Sequence, residues 1–455
     1  MTSGSTERQA TARGRAGTRE ACEPASWGRH EPTAPHRYRD AVTDTSPARP
    51  GAGLGLAQGT AMTVGAVLGT GVLSLPALAA QIAGPASLLA WLALVVLSIP
   101  LAATFAGLGA RHPDGGGVAT YARLAFGPKA SAVVGWLFYF GVPIGAPPAA
   151  GFAGAYVADL LGGGRVTQTV VVVVLIGAVV TMNWFGIKVS GRLQLLIAGG
   201  LAALLALATA VSLPHARLAN LTPFVTHGWA AVGTAASLLV WAFAGWEAVA
   251  SLSAEYSDPR RQIPRVTAIA LAIIGVLYLG VSFAVVAVLG THPSAAPLSD
   301  LLELGFGPAA RPLTALIAVL LSFGAMNAYM ASVARLGAAL GRDGALPSWF
   351  GRTHGGEPRN SLAVVTALSL LVVAILTIVG LPIETGVLFV TAAFSLVYVV
   401  ATAAAVKLLP RGTTVWFGAL LSVAGTAVLT LLGGWHLVPT VIVATLAVAY
   451  VSRRR

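Results

Sequence analysis

From Leu56 to Val451 the chain is a succession of apolar runs. Each is close to the ~20 residues that a helix needs to cross the hydrocarbon core of a bilayer. Little is left to build a soluble domain: 56% of the 455 residues are hydrophobic and 10% are charged, against about 25% charged in soluble domains. Twelve spanning helices are expected, over residues 57–82, 86–109, 127–158, 168–187, 191–213, 230–254, 265–290, 309–339, 361–380, 384–406, 414–432 and 435–451. Spanning strands are excluded, because barrel strands alternate apolar and polar residues over about ten positions and these runs are apolar throughout.

A formal charge of +12 would be compatible with nucleic-acid binding, but the basic residues are confined to short connectors and the termini. With the N-terminus placed inside, the inner connectors carry 17 Lys and Arg and the outer ones only Arg165, Arg217 and Arg311. The bias keeps its register through all twelve runs, so it supports both the count and a cytoplasmic location of the two termini. Residues 1–50 are rich in Arg, Thr, Ser, Ala, Gly and Pro and have no apolar run; they read as a disordered cytoplasmic tail. The single cysteine, Cys22, lies there, and the eight histidines show no metal-ligand spacing, so no metal or cofactor is expected.

Two runs look interrupted. The first contains Val67-Leu68-Gly69-Thr70-Gly71 followed by Pro76, and the sixth contains Trp241-Ala242-Phe243-Ala244-Gly245-Trp246-Glu247. Broken helices within a membrane line protein cavities. These two lie five helices apart, so they enter from opposite sides, the arrangement that marks a solute site at the midplane of two inverted halves. Unwinding frees amides at one half-helix end, which attract a carboxylate, and carbonyls at the other, which hold an ammonium. The pair therefore suits a zwitterion. Gly69 and Gly71 taken alone also fit close helix packing; the second break favours the site.

Glu247 is the one carboxylate placed well inside a span, with Asp159, Glu255 and Glu384 at span ends. A membrane carboxylate is costly and defaults to function, here proton coupling or gating; the competing role is a structural tie for the broken helix. Trp241 is the preferred gate among the aromatics of the sixth run. Asn183 and Asn327 are expected to hydrogen-bond between helices, and Pro143, Pro147 and Pro148 to kink the third helix.

Four signatures in order carry a family resemblance: Gly69-Thr70-Gly71 with Pro76; Pro113 to Tyr121; Glu255 through Asp258-Pro259 to Ile263-Pro264-Arg265; and Arg342 to Pro347. Residues 54–455 resemble the amino acid–polyamine–organocation (APC) superfamily; within it, the Gly-Leu-Ala-Gln-Gly entry at 55–59 and the Pro143-x-Gly145-x-Pro147 kink are similar to the bacterial exporters of methionine and branched-chain amino acids. The resemblance implies an all-α integral membrane fold of 12 transmembrane helices. A 5+5 inverted repeat (repeat one 57–213, repeat two 230–406) would be followed by two extra helices over 414–451. It implies a substrate carboxylate on Gly69, Thr70 and Gly71, an ammonium on the carbonyls of Val67, Trp241 and Ala244, and an aromatic lid at Tyr329. Phe243, Gly245 and Glu247 complete the Trp-x-Phe-x-Gly-x-Glu pattern. One departure stands out: no charge lies between Leu195 and Ala210, where some proton-coupled members carry a lysine.

The expected activity is secondary transport of neutral hydrophobic amino acids across the cytoplasmic membrane, by export driven by the proton motive force. Sodium is not supported. Lipid surrounds a monomer or homodimer, and nucleic acid is no partner. An importer or exchanger has the same architecture. A membrane enzyme would need an acidic or histidine cluster at a membrane face, and the 16 carboxylates are scattered.

Overall fold

The computed structural model describes residues 54–112, 117–186, 191–247 and 252–453, with the side chains of 191–194, 252 and 254 left aside. The tail over 1–50 and the first part of the Pro113–Tyr121 signature lie outside these residues, as do Lys188 and the stretch just after Glu247.

All regular structure among the described residues is helical, apart from two isolated bridges, Leu54–Tyr256 and His354–Glu357. In chain order the α-helices are α1 (Leu56–Val67), α2 (Leu75–Ala83), α3 (Ser87–Arg111), α4 (Gly117–Phe126), α5 (Pro128–Leu161), α6 (Gly164–Trp184), α7 (Gly191–Ser212) and α8 (Trp229–Phe243). They continue as α9 (Pro259–Ala284), α10 (Pro297–Phe306), α11 (Ala310–Arg342), α12 (Arg359–Val379), α13 (Ile383–Leu408), α14 (Thr414–Leu432) and α15 (Leu437–Arg453). Helices are the form in which an apolar segment satisfies its own backbone away from water. Their ends follow local chemistry: Asp258 caps α9 through the Arg261 amide at 3.3 Å, with Pro259 at the first turn, and the Thr413 hydroxyl caps α14 through the Trp416 amide.

Ten helical stretches among the described residues are long and apolar enough to cross a membrane. They are the second to fifth and seventh to twelfth apolar runs. The two remaining runs are the first and the sixth: α1 stops after 12 residues and α8 after 15. Two short helices, α4 and α10, occupy connectors that the hydropathy pattern left unassigned. α5 runs unbroken through Pro143, Pro147 and Pro148.

Packing separates centre from rim. The most apolar windows of α5 and α13 are 61% and 67% buried, those of α14 and α15 only 17% and 11%. The two last helices therefore show most of their surface outward, while α5 and α13 are the most buried; α8 is set against α13, and the short turn Thr70–Leu73 against α5. α8 packs on α2, α3 and α13, and α1 on α7 and α9. Asn183 of α6 donates to the Asn327 side chain of α11 at 2.8 Å, the interhelical amide bond expected for that pair.

Candidate functional site

The first break begins at Leu68 (φ −68°, ψ 69°), where the Gly69 amide turns back to the Val67 carbonyl at 2.7 Å, an inverse γ-turn. Gly69 is extended, residues Thr70–Leu73 form one 3-10 turn, and α2 starts after Ser74. Seven residues, 68–74, thus separate the two α-helices. The second break follows Phe243: Ala244 is extended (φ −68°, ψ 134°) and Gly245 has φ +129°.

The two breaks touch. A Cβ on Gly245 would lie 2.7 Å from the Ala66 carbonyl oxygen and 3.0 Å from the Val67 Cα. Both the positive φ and the backbone contact thus require glycine there. A Cβ on Gly71 would lie 2.5 Å from Cδ1 of Trp241, so the first break also carries the indole of α8.

Three side chains hold this junction. The Tyr278 hydroxyl, on α9, lies 2.9 Å from the Val67 carbonyl and 2.9 Å from that of Ala242. The Glu247 Oε2 accepts from the Gly245 amide at 2.9 Å and from the Tyr398 hydroxyl of α13 at 2.5 Å. Trp246 is fully buried and donates through Nε1 to Ser98 Oγ at 3.2 Å, so it belongs to the wall between α8 and α3. Phe243 stacks edge-on with Tyr278 (5.3 Å) and tilts against Trp91 (5.9 Å).

Beside the junction is a cavity of about 70 Å³, bounded by Gly69 and Thr70 of the first break, Trp241 and Ala244 of the second, and residues of α5, α11 and α13. Among the described residues no charged side chain lines it. Of the residues singled out from the sequence, Gly69, Thr70, Trp241, Ala244 and Tyr329 line the cavity, and Gly71 supports Trp241. Val67 and Phe243 do not line it, and Gly245 lines the neighbouring vestibule instead. The Val67 carbonyl already accepts from the Gly69 amide and faces the Tyr278 hydroxyl. Glu247 lies outside the cavity, in a vestibule of about 1130 Å³.

That vestibule shares Ala66, Gly69, Val142, Ala325 and Tyr329 with the cavity, and it also carries Arg335 and Arg342. Tyr329, 38% exposed, stands where the two spaces meet. A second vestibule, of about 720 Å³, shares none of its described lining residues with the cavity. Between them Trp241 meets Phe152 edge-on (6.0 Å, 89°), and Phe152 lines the second vestibule. The structure is therefore open from the cavity to one vestibule and sealed by aromatic packing from the other.

The Tyr398 and Tyr278 contacts were not found from sequence, and neither were Met326, Met330, Val390 and Phe394 of the cavity wall. Single tyrosines inside apolar runs are the available signal, because a buried phenol hydroxyl needs a partner. The partner's identity is not encoded locally.

Uncharged walls, backbone-rich breaks and two vestibules describe a passage for a small solute, and the comparisons agree. The amino acid permease family model matches residues 54–451. The uncharacterized amino acid permease YecA of Bacillus subtilis is 33% identical over 405 residues, covering 87% of this chain and 95% of that protein. The L-methionine/branched-chain amino acid exporter YjeH of Escherichia coli is 35% identical over 290 residues, covering 62% of this chain and 68% of that protein. The branched-chain amino acid permease BcaP of Lactococcus lactis is 25% identical over 350 residues, with 69% and 73% covered. A match that runs from the start of α1 into α15 spans every membrane-crossing helix, and on that ground this multi-pass membrane protein belongs to the amino acid permease family, within the APC superfamily.

Proposed function

We propose that this permease exports neutral hydrophobic amino acids, of the methionine, leucine, isoleucine and valine type, across the cytoplasmic membrane at the expense of the proton gradient. The observation that carries the reading is the uncharged cavity set against two interrupted helices. Backbone polar groups of Gly69, Thr70 and Ala244 meet the charged ends of a zwitterion there. Met326, Met330, Val390 and Phe394 offer an apolar wall to its side chain. A cationic side chain would find no counter-charge in that wall, which disfavours arginine and polyamines. The Escherichia coli relative is named as an exporter of the same substrates.

In this reading the first and sixth runs complete twelve crossings, and the two breaks occupy equivalent places in two inverted halves. The vestibule carrying Arg335 and Arg342 faces the cytoplasm, in keeping with the positive-inside rule. Glu247, held between the Gly245 amide and Tyr398, couples proton movement to the rearrangement of the second break. An importer of the same architecture would differ only in the gradient that it follows.

Export is tested in cells lacking their own exporters and loaded with methionine- or leucine-containing dipeptides. Expression of the chain is expected to lower intracellular accumulation and relieve growth inhibition; unchanged accumulation rejects export. Gly71→Val should insert normally and lose this protection, since its side chain would meet Trp241 and Leu75. Retained transport would move the site elsewhere.

A further inference from the structure

The end of the connector helix α4 carries three side chains, Arg123, Leu124 and Phe126, that neither the cavity nor the two vestibules use. α4 packs on α5 and α13 and buries Val118, Tyr121, Ala122 and Ala125. Its other face leaves Arg123 exposed, with Leu124 and Phe126 at 55% and 46%. The chain then turns at Gly127, with φ +87°, and puts Lys129 in the first turn of α5. From the last turn of α13 the Lys407 ammonium donates to the Ala125 carbonyl at 2.7 Å and stands 5.5 Å from the centre of the Phe126 ring. α15 packs on α5 with the Tyr450 ring 5.8 Å from that of Trp136, so Arg453 ends α15 beside the start of α5. Arg123, Lys129 and Arg453 are exposed and make no ion pair with a described residue.

Four cations thus gather around two exposed apolar side chains, at the ends of three membrane-crossing helices. At that depth acyl chains give way to headgroups, so Leu124 and Phe126 meet hydrocarbon while the longer cationic side chains reach phosphate. The charge balance selects the headgroup. Residues 117–136, 400–420 and 437–453 contain no Asp or Glu. A choline or ethanolamine group would find no counter-charge there and four cations against it. A phosphate whose remaining headgroup is neutral meets no such conflict. We propose that the exposed face of α4, with the adjoining ends of α5, α13 and α15, is a binding site for an anionic phospholipid. The phosphate lies among Arg123, Lys129, Lys407 and Arg453, and the acyl chains run over Leu124 and Phe126. Lys407 keeps two N–H donors for it after bonding Ala125. The site is independent of which solute the cavity takes.

The test is native mass spectrometry of the purified full-length protein titrated with dioleoyl phosphatidylglycerol or dioleoyl phosphatidylcholine, whose chains are identical. The wild type is expected to retain phosphatidylglycerol at about tenfold lower concentration, from the contribution of each cation near a headgroup. Arg123→Gln with Lys129→Gln should remove that preference and leave phosphatidylcholine retention unchanged. Arg260→Gln with Arg352→Gln, which neutralises exposed arginines of two other connectors, should keep it. Leu124→Ser with Phe126→Ser should weaken phosphatidylglycerol retention, and chain-free glycerophosphoglycerol should not compete. Unchanged melting curves check that the variants fold. Equal retention of the two lipids by the wild type overturns the proposal without recourse to any variant. Equal losses in the two arginine-and-lysine pairs overturn the site in favour of attraction to the whole charged face. Full competition by the chain-free headgroup overturns the lipid as occupant.

Discussion

A carboxylate well inside a membrane span costs about 2.5–3.5 kcal/mol or more, and Glu247 meets that cost with two donors, the Gly245 amide and the Tyr398 hydroxyl. A hydrogen bond to a charged group contributes about 1.5–3 kcal/mol. Tyr398→Phe should therefore weaken the tie between α13 and the second break, lowering transport roughly tenfold or more by that figure while the chain still reaches the membrane. Normal transport in Tyr398→Phe would leave the pair without a working role. Glu247→Gln should keep amino acid exchange across proteoliposomes and lose acceleration by an imposed proton gradient; equal acceleration in both proteins would remove Glu247 from coupling. Glu247 was legible in the sequence because its residue type is rare within such runs. Tyr398 was not, because it lies 151 residues away and nothing in its own apolar run marks the contact. Asn183 and Asn327, 144 residues apart, were legible as amides in need of partners, and the structure supplied one to the other.

The broken elements were readable because glycine and proline act locally. Gly69, Gly71 and Pro76 weaken one helix within a few residues, and Gly245 does the same in the other. The cavity wall was less readable, since α5, α11 and α13 contribute residues chosen by packing across the bundle. The connector helices α4 and α10 were missed because each is only 10 residues long and lies within a stretch read as loop. Glycine substitutions separate the two kinds of position. Gly245→Ala places a Cβ at φ +129° and within 2.7 Å of the Ala66 carbonyl, a strain on the order of 1–3 kcal/mol before the overlap is counted. It should abolish transport and lower the thermal midpoint. Gly199→Ala, inside α7 with open space around it, should raise stability by up to about 1 kcal/mol and leave transport intact. A Gly245→Ala protein that transports normally would mean that the close approach of the breaks is dispensable.

At the scale of the molecule, the charge bias of the connectors sets an expected topology, whereas the side to which the cavity opens is not written in the sequence. The structure has its cavity open toward the side of Arg335 and sealed toward the side of Gln168. Orientation and state can be read together by cysteine labelling in a Cys22→Ser background. A membrane-impermeant maleimide should modify Ser332→Cys in inside-out vesicles but not in intact cells, and Thr377→Cys in intact cells. The reverse pattern would invert the topology. The seal itself is reinforced by Tyr156, whose hydroxyl donates to the Leu73 carbonyl at 2.6 Å and accepts from the Leu298 amide at 3.2 Å.

The phenol at position 278 reaches two carbonyls, one on each interrupted helix, at equal distance, yet an O–H group has only one proton to donate. The two halves therefore share that proton and do not each own one. If one helix moved away, the hydroxyl would stay bonded to the other, so the donor would not be stranded in the dry interior. A joint made this way holds its parts in register and still lets either of them go.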